Sequence, residues 1–185
     1  MIRKIKGTMD IMPEETPLFR YMESVMREEA ERYGFGEIRT PMMEYTDLFV
    51  RGVGDTTDVV QKEMYTFNDK GGRSITLRPE GTASVVRSYL ENSIYAAGLP
   101  AKLFYIVPNF RYENTQKGRL REHHQFGIEC FGAAGPEADS EVIALAAEYL
   151  RRLGIKNVRL EINSVGCRAF YIIKNYSAII RNLQY

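Results

Sequence analysis

Between Phe104 and Gly132 the chain places a guanidinium, two carboxylates and an amide at alternating positions, a set that suits a zwitterion lying beside a polyphosphate. Side chains of a strand alternate between its two faces. The spacing therefore sends Asn109, Arg111 and Glu113 one way and Phe104, Ile106 and Phe110 the other. On the following run Gln125, Gly127 and Glu129 oppose Phe126, Ile128 and Cys130. If the two runs pair, Arg111, Glu113, Gln125 and Glu129 share a surface, and Gly127 leaves room beside them. The intervening Gln116-Lys117-Gly118-Arg119-Leu120-Arg121 is a cationic turn. A planar guanidinium bonds two oxygens of a phosphate or carboxylate at once, which an ammonium does not. The charges alone also allow an edge hairpin with a solvated face and scattered ion pairs. His123 and His124, adjacent on a strand, face opposite ways and read as structural or surface residues; no metal site is expected.

A second group lies in Thr76-Leu-Arg-Pro-Glu-Gly-Thr-Ala83, where a strand gives way to a helix. Glu80 is placed to receive an ammonium group beside Gly81. The Thr82 hydroxyl suits either a helix cap or a ligand contact.

The elements that must position these groups follow from periodicity. Leu18, Met22, Val25, Met26 and Ala30 recur at helical spacing, with Pro17 at the start and Gly34 at the stop. Residues 35–41 then read as a short strand ended by Pro41. Residues 51–58 read as a loop in a polar, glycine-punctuated stretch. Residues 64–67 and 74–77 form a hairpin around Asn68-Asp-Lys-Gly-Gly72. A helix follows from Ala83 to about Asn92, and another from Pro136 to a cap at Gly154. Val158 to Asn163 alternates like a strand. Hairpins with flanking helices, lacking regular βαβ spacing, predict an α+β domain on a mainly antiparallel sheet.

At 185 residues one domain with a sizeable core is expected. The net charge of +1 excludes non-specific attraction to nucleic acid through overall charge, so phosphate binding falls to local clusters such as residues 117–121. The start lacks the apolar run of a secretory signal, no stretch reads as a membrane span, and Cys130 and Cys167 lack metal-ligand spacing. A cytoplasmic setting is expected.

Phe-Arg-x-Glu, a basic loop and Gln-x-Gly-x-Glu in this order resemble the second signature motif of class II aminoacyl-tRNA synthetases, and the run 116–121 resembles the histidyl family. Asn114-Thr115 and His123 depart from its usual residues. The helix, Gly-Phe, strand and proline order of residues 18–41 resembles the first class II motif. Lys6-Gly-Thr-Met-Asp10 resembles the histidyl family's amino-terminal signature. The resemblance implies a class II synthetase-like sheet flanked by helices, and a homodimer joined through the first motif. It implies that Glu80, Gly81, Thr82, Gln125 and Glu129 bind histidine, and that Arg111 is catalytic at the α-phosphate. Glu113 and Arg119 join Arg111 on ATP, Mg²⁺ accompanies the nucleotide, and Gln116 and Arg121 meet the acceptor end of tRNA(His).

The resemblance covers residues 1–167, as the amino-terminal part of a catalytic domain. Residues 168–185 diverge and have helical spacing. The third class II motif has no counterpart in the chain, so the sheet is expected to be incomplete and the chain nearly inactive by itself. The competing reading is a histidine-sensing regulatory subunit of ATP phosphoribosyltransferase. Retention of Gln116, Arg119 and Arg121 with Arg111 favours the ligase.

Overall fold

In a computed structural model of the protein, which describes residues 2–53 and 63–162, two ten-residue strands dominate: β5 (Ala101–Phe110) and β6 (Glu122–Phe131). They pair antiparallel throughout, with Leu103 opposite Glu129, Tyr105 opposite Gly127, Val107 opposite Gln125 and Asn109 opposite His123. β1 (Gly36–Glu37) joins β5 in parallel. In a second sheet β4 (Ser74–Leu77) lies between β2 (Met43–Tyr45) and β3 (Tyr65–Asn68), antiparallel to both. Helices α1 (Thr16–Arg32), α2 (Thr46–Val53), α3 (Thr82–Glu91) and α4 (Pro136–Arg152) flank these sheets. The architecture is α+β on mainly antiparallel sheet.

The alternation of the strands is realised in the packing. Phe104, Phe126, Ile128 and Cys130 lie against Ala30 of α1 and Leu145 of α4, with Phe104 and Leu145 wholly buried. Burying one such side chain contributes about 1.5–3 kcal/mol. The other face is covered in part by α3, whose Val85 packs with Tyr105 and Val107. Helix ends follow local chemistry. Pro17 lies in the first turn of α1. Gly34 and Gly154 take positive φ of 80° and 75° after α1 and α4, a conformation that a Cβ disfavours.

Several expectations are corrected. Leu18 is 60% exposed, because the inward face of α1 runs instead through Val25, Glu29 and Ala30. Glu29 is wholly buried and tied to Arg32 at 2.9 Å and Arg152 at 2.5 Å, so it clamps α1 to α4. Arg51 to Val53 are the last turn of α2 rather than loop; the rest of 51–58 lies outside the described residues. Residues 158–162 form no strand. Alternation supplies a face, but no neighbouring strand supplies a ladder among the described residues, and Val158, Leu160 and Ile162 remain exposed. The divergent segment 168–185 lies outside the described residues.

Arg78 joins the two sheets. It is 4% exposed and donates to the carbonyls of Pro108 (2.8 Å), Thr40 (3.1 Å) and Pro41 (3.3 Å). Its own backbone bonds to Met42 and Phe110. Burial pulls its pKa down, against the opposing pull of Glu44, yet a guanidinium remains charged. Removing it strands three carbonyls. Arg78→Ala is therefore expected to destabilise the chain by about 3 kcal/mol or more, read as a lowered denaturant midpoint; Arg78→Lys, which cannot span all three acceptors, recovers only a minor part.

Candidate active site

The segment Arg78 to Thr82, leading from β4 into α3, packs over β5 and β6, and the candidate groups along it fall into two sets, termed compartments. Arg111, one residue beyond β5, donates from Nε to the Pro79 carbonyl at 2.7 Å. Glu129 is reached from the same segment through Tyr105. Arg111 and Glu129 thus share one side of the sheet.

The first compartment is a cleft of about 430 Å³ lined by Arg111, Glu113, Arg119, His123, Glu63, Gly118 and Leu120. Glu113 lies 4.0 Å from Arg111 and 3.7 Å from Arg119. Such loose pairs contribute at most about 1 kcal/mol, so separating Glu113 from Arg119 costs little. Arg119 stands on a turn closed by its N–H to the Gln116 carbonyl at 2.9 Å, and Gly118 takes φ of 81° at the tip. Burial, followed by the Arg111 charge, pulls the His123 pKa down and favours a neutral ring in the cleft. Among the described residues no three His, Cys, Asp or Glu side chains cluster as metal ligands.

The second compartment holds the acceptors. Glu80, not Thr82, caps α3: its carboxylate receives the N–H of Thr82 at 2.6 Å and of Ala83 at 2.9 Å. A carboxylate so placed complements the helix N-terminus. The Thr82 hydroxyl lies 3.3 Å from Tyr105 Oη, which donates to Glu129 Oε1 at 3.2 Å. Gln125 Oε1 receives the side-chain N–H of Asn109 at 2.6 Å. Asn109 is itself wholly buried, and its Oδ1 has no partner among the described residues.

Tyr105 organises this side. Its ring is inserted between Gly81 and Gly127, and a Cβ on either glycine would fall within the ring's van der Waals space. The room that Gly127 was expected to leave is thus taken by Tyr105. Tyr105 was not singled out from sequence, where an aromatic on a strand reads as core; its parity with Arg111 and the two glycines are the available signals. His123, which reads from sequence as a structural or surface residue, and Glu63, which carries no sequence signal, both line the cleft. Gln116 and Arg121 stand at the loop. Arg121 does not line the cleft: its guanidinium lies 3.8 Å over the Tyr112 ring and its Nε is 3.4 Å from the Glu113 carbonyl oxygen.

A mainly antiparallel sheet flanked by helices, with an arginine leaving one strand and acceptors on its neighbour, has the fold of a class II aminoacyl-tRNA synthetase. The chain belongs to the histidyl-tRNA synthetase family, whose family model matches residues 7–172. It is 54% identical over 185 residues to a histidine–tRNA ligase of Thermoanaerobacter pseudethanolicus, covering 97% of this chain and 44% of that protein. It is 58% identical over 167 residues to that of Desulforudis audaxviator, covering 90% and 40%. Apo histidyl-tRNA synthetase of S. aureus matches with a TM-score of 0.72 at 44% identity, over 84% of this chain and 36% of that one. An ATP phosphoribosyltransferase regulatory subunit/histidyl-tRNA synthetase from Bacillus halodurans matches at 0.73 and 29% identity, over 85% and 39%. The chain spans less than half the length of the curated relatives it matches.

Two outcomes follow from the acceptor side. Gly127→Ala forces Tyr105 aside and is expected to cost about 3 kcal/mol in chemical denaturation; adding Tyr105→Ala relieves the clash, so the pair is strongly non-additive. Burial raises the Glu129 pKa above the ordinary 4.5, the nearby Glu80 charge adds a smaller push, and hydrogen bonds from Thr82 and Tyr105 oppose it. A raised folded value contributes stability that is full below 4.5 and is lost as pH rises through the folded value. Glu129→Gln is therefore expected to raise the unfolding temperature near neutral pH, and the gain to vanish below the ordinary carboxyl value.

Proposed function

We propose that residues 1–167 are the amino-terminal part of the catalytic domain of a histidine–tRNA ligase, holding histidine in the acceptor compartment and ATP in the cationic cleft. The observation that supports this reading is the convergence of Arg111 and the Tyr105–Glu129 pair on one segment, Pro79 to Thr82, as a guanidinium for phosphate oxygens beside acceptors for an ammonium and an imidazole would require. Gln125, Glu80 and the Thr82 hydroxyl receive the amino group, and Glu129 meets the ring. A pocket that hydrogen-bonds a substrate's polar group discriminates strongly against isosteres that leave it unpaired.

In the whole protein the histidine carboxylate attacks the α-phosphorus of ATP. A C–O–P anhydride bond forms, the bond to pyrophosphate breaks, and pyrophosphate leaves. The tRNA(His) terminal ribose hydroxyl then attacks the activated carbonyl, releasing AMP and a proton. The chain's residues act by alignment and charge: Arg111 is held by Pro79 against the reacting phosphate, with Glu113 beside it, and Arg119 engages the outer phosphates. Mg²⁺ is expected to arrive with ATP as part of the nucleotide substrate. Gln116 and Arg121, on the loop, are assigned to the acceptor end, with a homodimer and a cytoplasmic setting as the working context. No described helix is long and apolar enough to cross a membrane.

The Bacillus halodurans neighbour keeps the regulatory reading open to test. Titration calorimetry of the chain with histidine and with ATP separates the cases. Binding of histidine and weak binding of ATP are expected, with Glu129→Gln weakening histidine about tenfold or more and Arg111→Ala weakening ATP alone. Histidine binding without any ATP binding points to a sensor, and binding of neither to a scaffold or a broken fragment.

A further inference from the structure

Lys6-Gly7-Thr8-Met9-Asp10 is a motif that neither compartment uses. The Thr8 backbone N–H and hydroxyl both bond to the Ile5 carbonyl, at 3.2 Å and 2.8 Å, closing a turn over residues 5–8. At its centre the Gly7 carbonyl accepts the Arg121 N–H at 2.7 Å. Gly7 takes φ of +88°, and a Cβ there would lie 2.7 Å from both Arg121 Cγ and Thr115 Cγ2. Conformation and contact each demand glycine. Thr115 and Arg121 stand on the two legs of the cationic loop, so the turn grips both.

From Arg121 the contacts continue inward. Its guanidinium stacks on Tyr112, whose ring meets Tyr65 of β3 edge-on at 5.8 Å and whose N–H bonds to the Glu63 carbonyl at 2.7 Å. The Arg121 carbonyl receives the Arg111 N–H at 2.9 Å and closes the loop at its base. We infer that the turn at residues 5–8 is a strap that orders the cationic loop, with Gly7, Tyr112 and Arg121 as positioning residues that hold Arg111 and Arg119 around the cleft. The inference rests on the assignment of that cleft to ATP. A loop ordered beforehand loses less freedom when the ligand arrives.

The test uses the 185-residue chain, amide exchange by NMR, and titration with ATP. Gly7→Ala is expected to speed exchange of the Arg121 N–H about tenfold or more, leave exchange in β5 and β6 unchanged, and weaken ATP binding several-fold. Tyr112→Leu, which keeps every charge and strains no backbone, and Arg121→Lys, which keeps the charge but loses the planar stack, weaken ATP binding alike. The double variant Tyr112→Leu/Arg121→Lys is then no weaker than either single one. Wild-type exchange in Gly7→Ala overturns the strap. So does wild-type ATP binding in Tyr112→Leu beside its loss in Arg121→Lys, the pattern of a direct phosphate ligand. If the wild-type chain binds no ATP, as a cleft without the third motif would not, the strap stands or falls on the exchange measurement alone.

Discussion

The register of β5 against β6 is the constraint on which the site depends. Side chains of a strand alternate with a period of two, so a slip of one residue would send Gln125 and Glu129 into the apolar core and Phe126 and Ile128 to the opposite face. Tyr105 opposes such a slip. It pairs across the ladder with Gly127, the one residue of β6 without a side chain, and its ring occupies the space that a side chain would fill. Gly81 meets the ring from the other side. One aromatic ring therefore sets both the strand register and the approach of α3 to the sheet. The Asn109–Gln125 bond reinforces the same alignment further along the ladder.

The five residues from Arg78 to Thr82 have separate physical tasks. The Arg78 side chain staples β5 to the chain leading into β2, and the Pro79 carbonyl orients the Arg111 guanidinium. Glu80 satisfies two N–H groups at the start of α3, Gly81 admits the Tyr105 ring, and Thr82 bonds to the Tyr105 hydroxyl. The two carboxylates of the acceptor compartment consequently sit in unlike surroundings. Glu80 has its charge met by backbone donors, whereas Glu129 is held in a desolvated place that resists ionisation. That resistance costs stability at neutral pH and leaves the Glu129 carboxylate with a hydrogen bond from Tyr105 as its nearest compensation.

What the sequence made legible was local. Alternation identified β5 and β6 and their two faces, and Pro17, Gly34 and Gly154 marked helix ends. The misses arose where a distant partner decides the outcome. Thr82 is the better cap by residue preference, but Glu80 reaches both N–H groups from outside the helix. Tyr105 reads as a core aromatic until Gly81 and Gly127, far apart in sequence, are seen on either side of it. Glu29 carries no signal in the helical pattern, and its burial depends on Arg152 of α4 meeting it. Val158 to Ile162 alternate as a strand would, but alternation cannot report whether a second strand lies alongside. Gly52 disguised α2, because a glycine in a polar stretch reads as a break.

The two compartments obtain their order in different ways. Acceptors on β5 and β6 are fixed by ladder hydrogen bonds and a packed ring, so their geometry is determined by the same interactions that fold the sheet. The cationic groups lie beyond the strand ends, where Arg119 is 64% exposed and the ladder no longer constrains the backbone. A loop of that kind carries charge well and geometry badly. It becomes a site only through contacts from outside the sheet: the Pro79 carbonyl on Arg111, the Tyr112 ring under Arg121, and the Gly7 carbonyl on the Arg121 N–H. The cleft is therefore shaped by segments remote in sequence from the arginines that give it charge, and a motif search confined to the strands and their loop would overlook them.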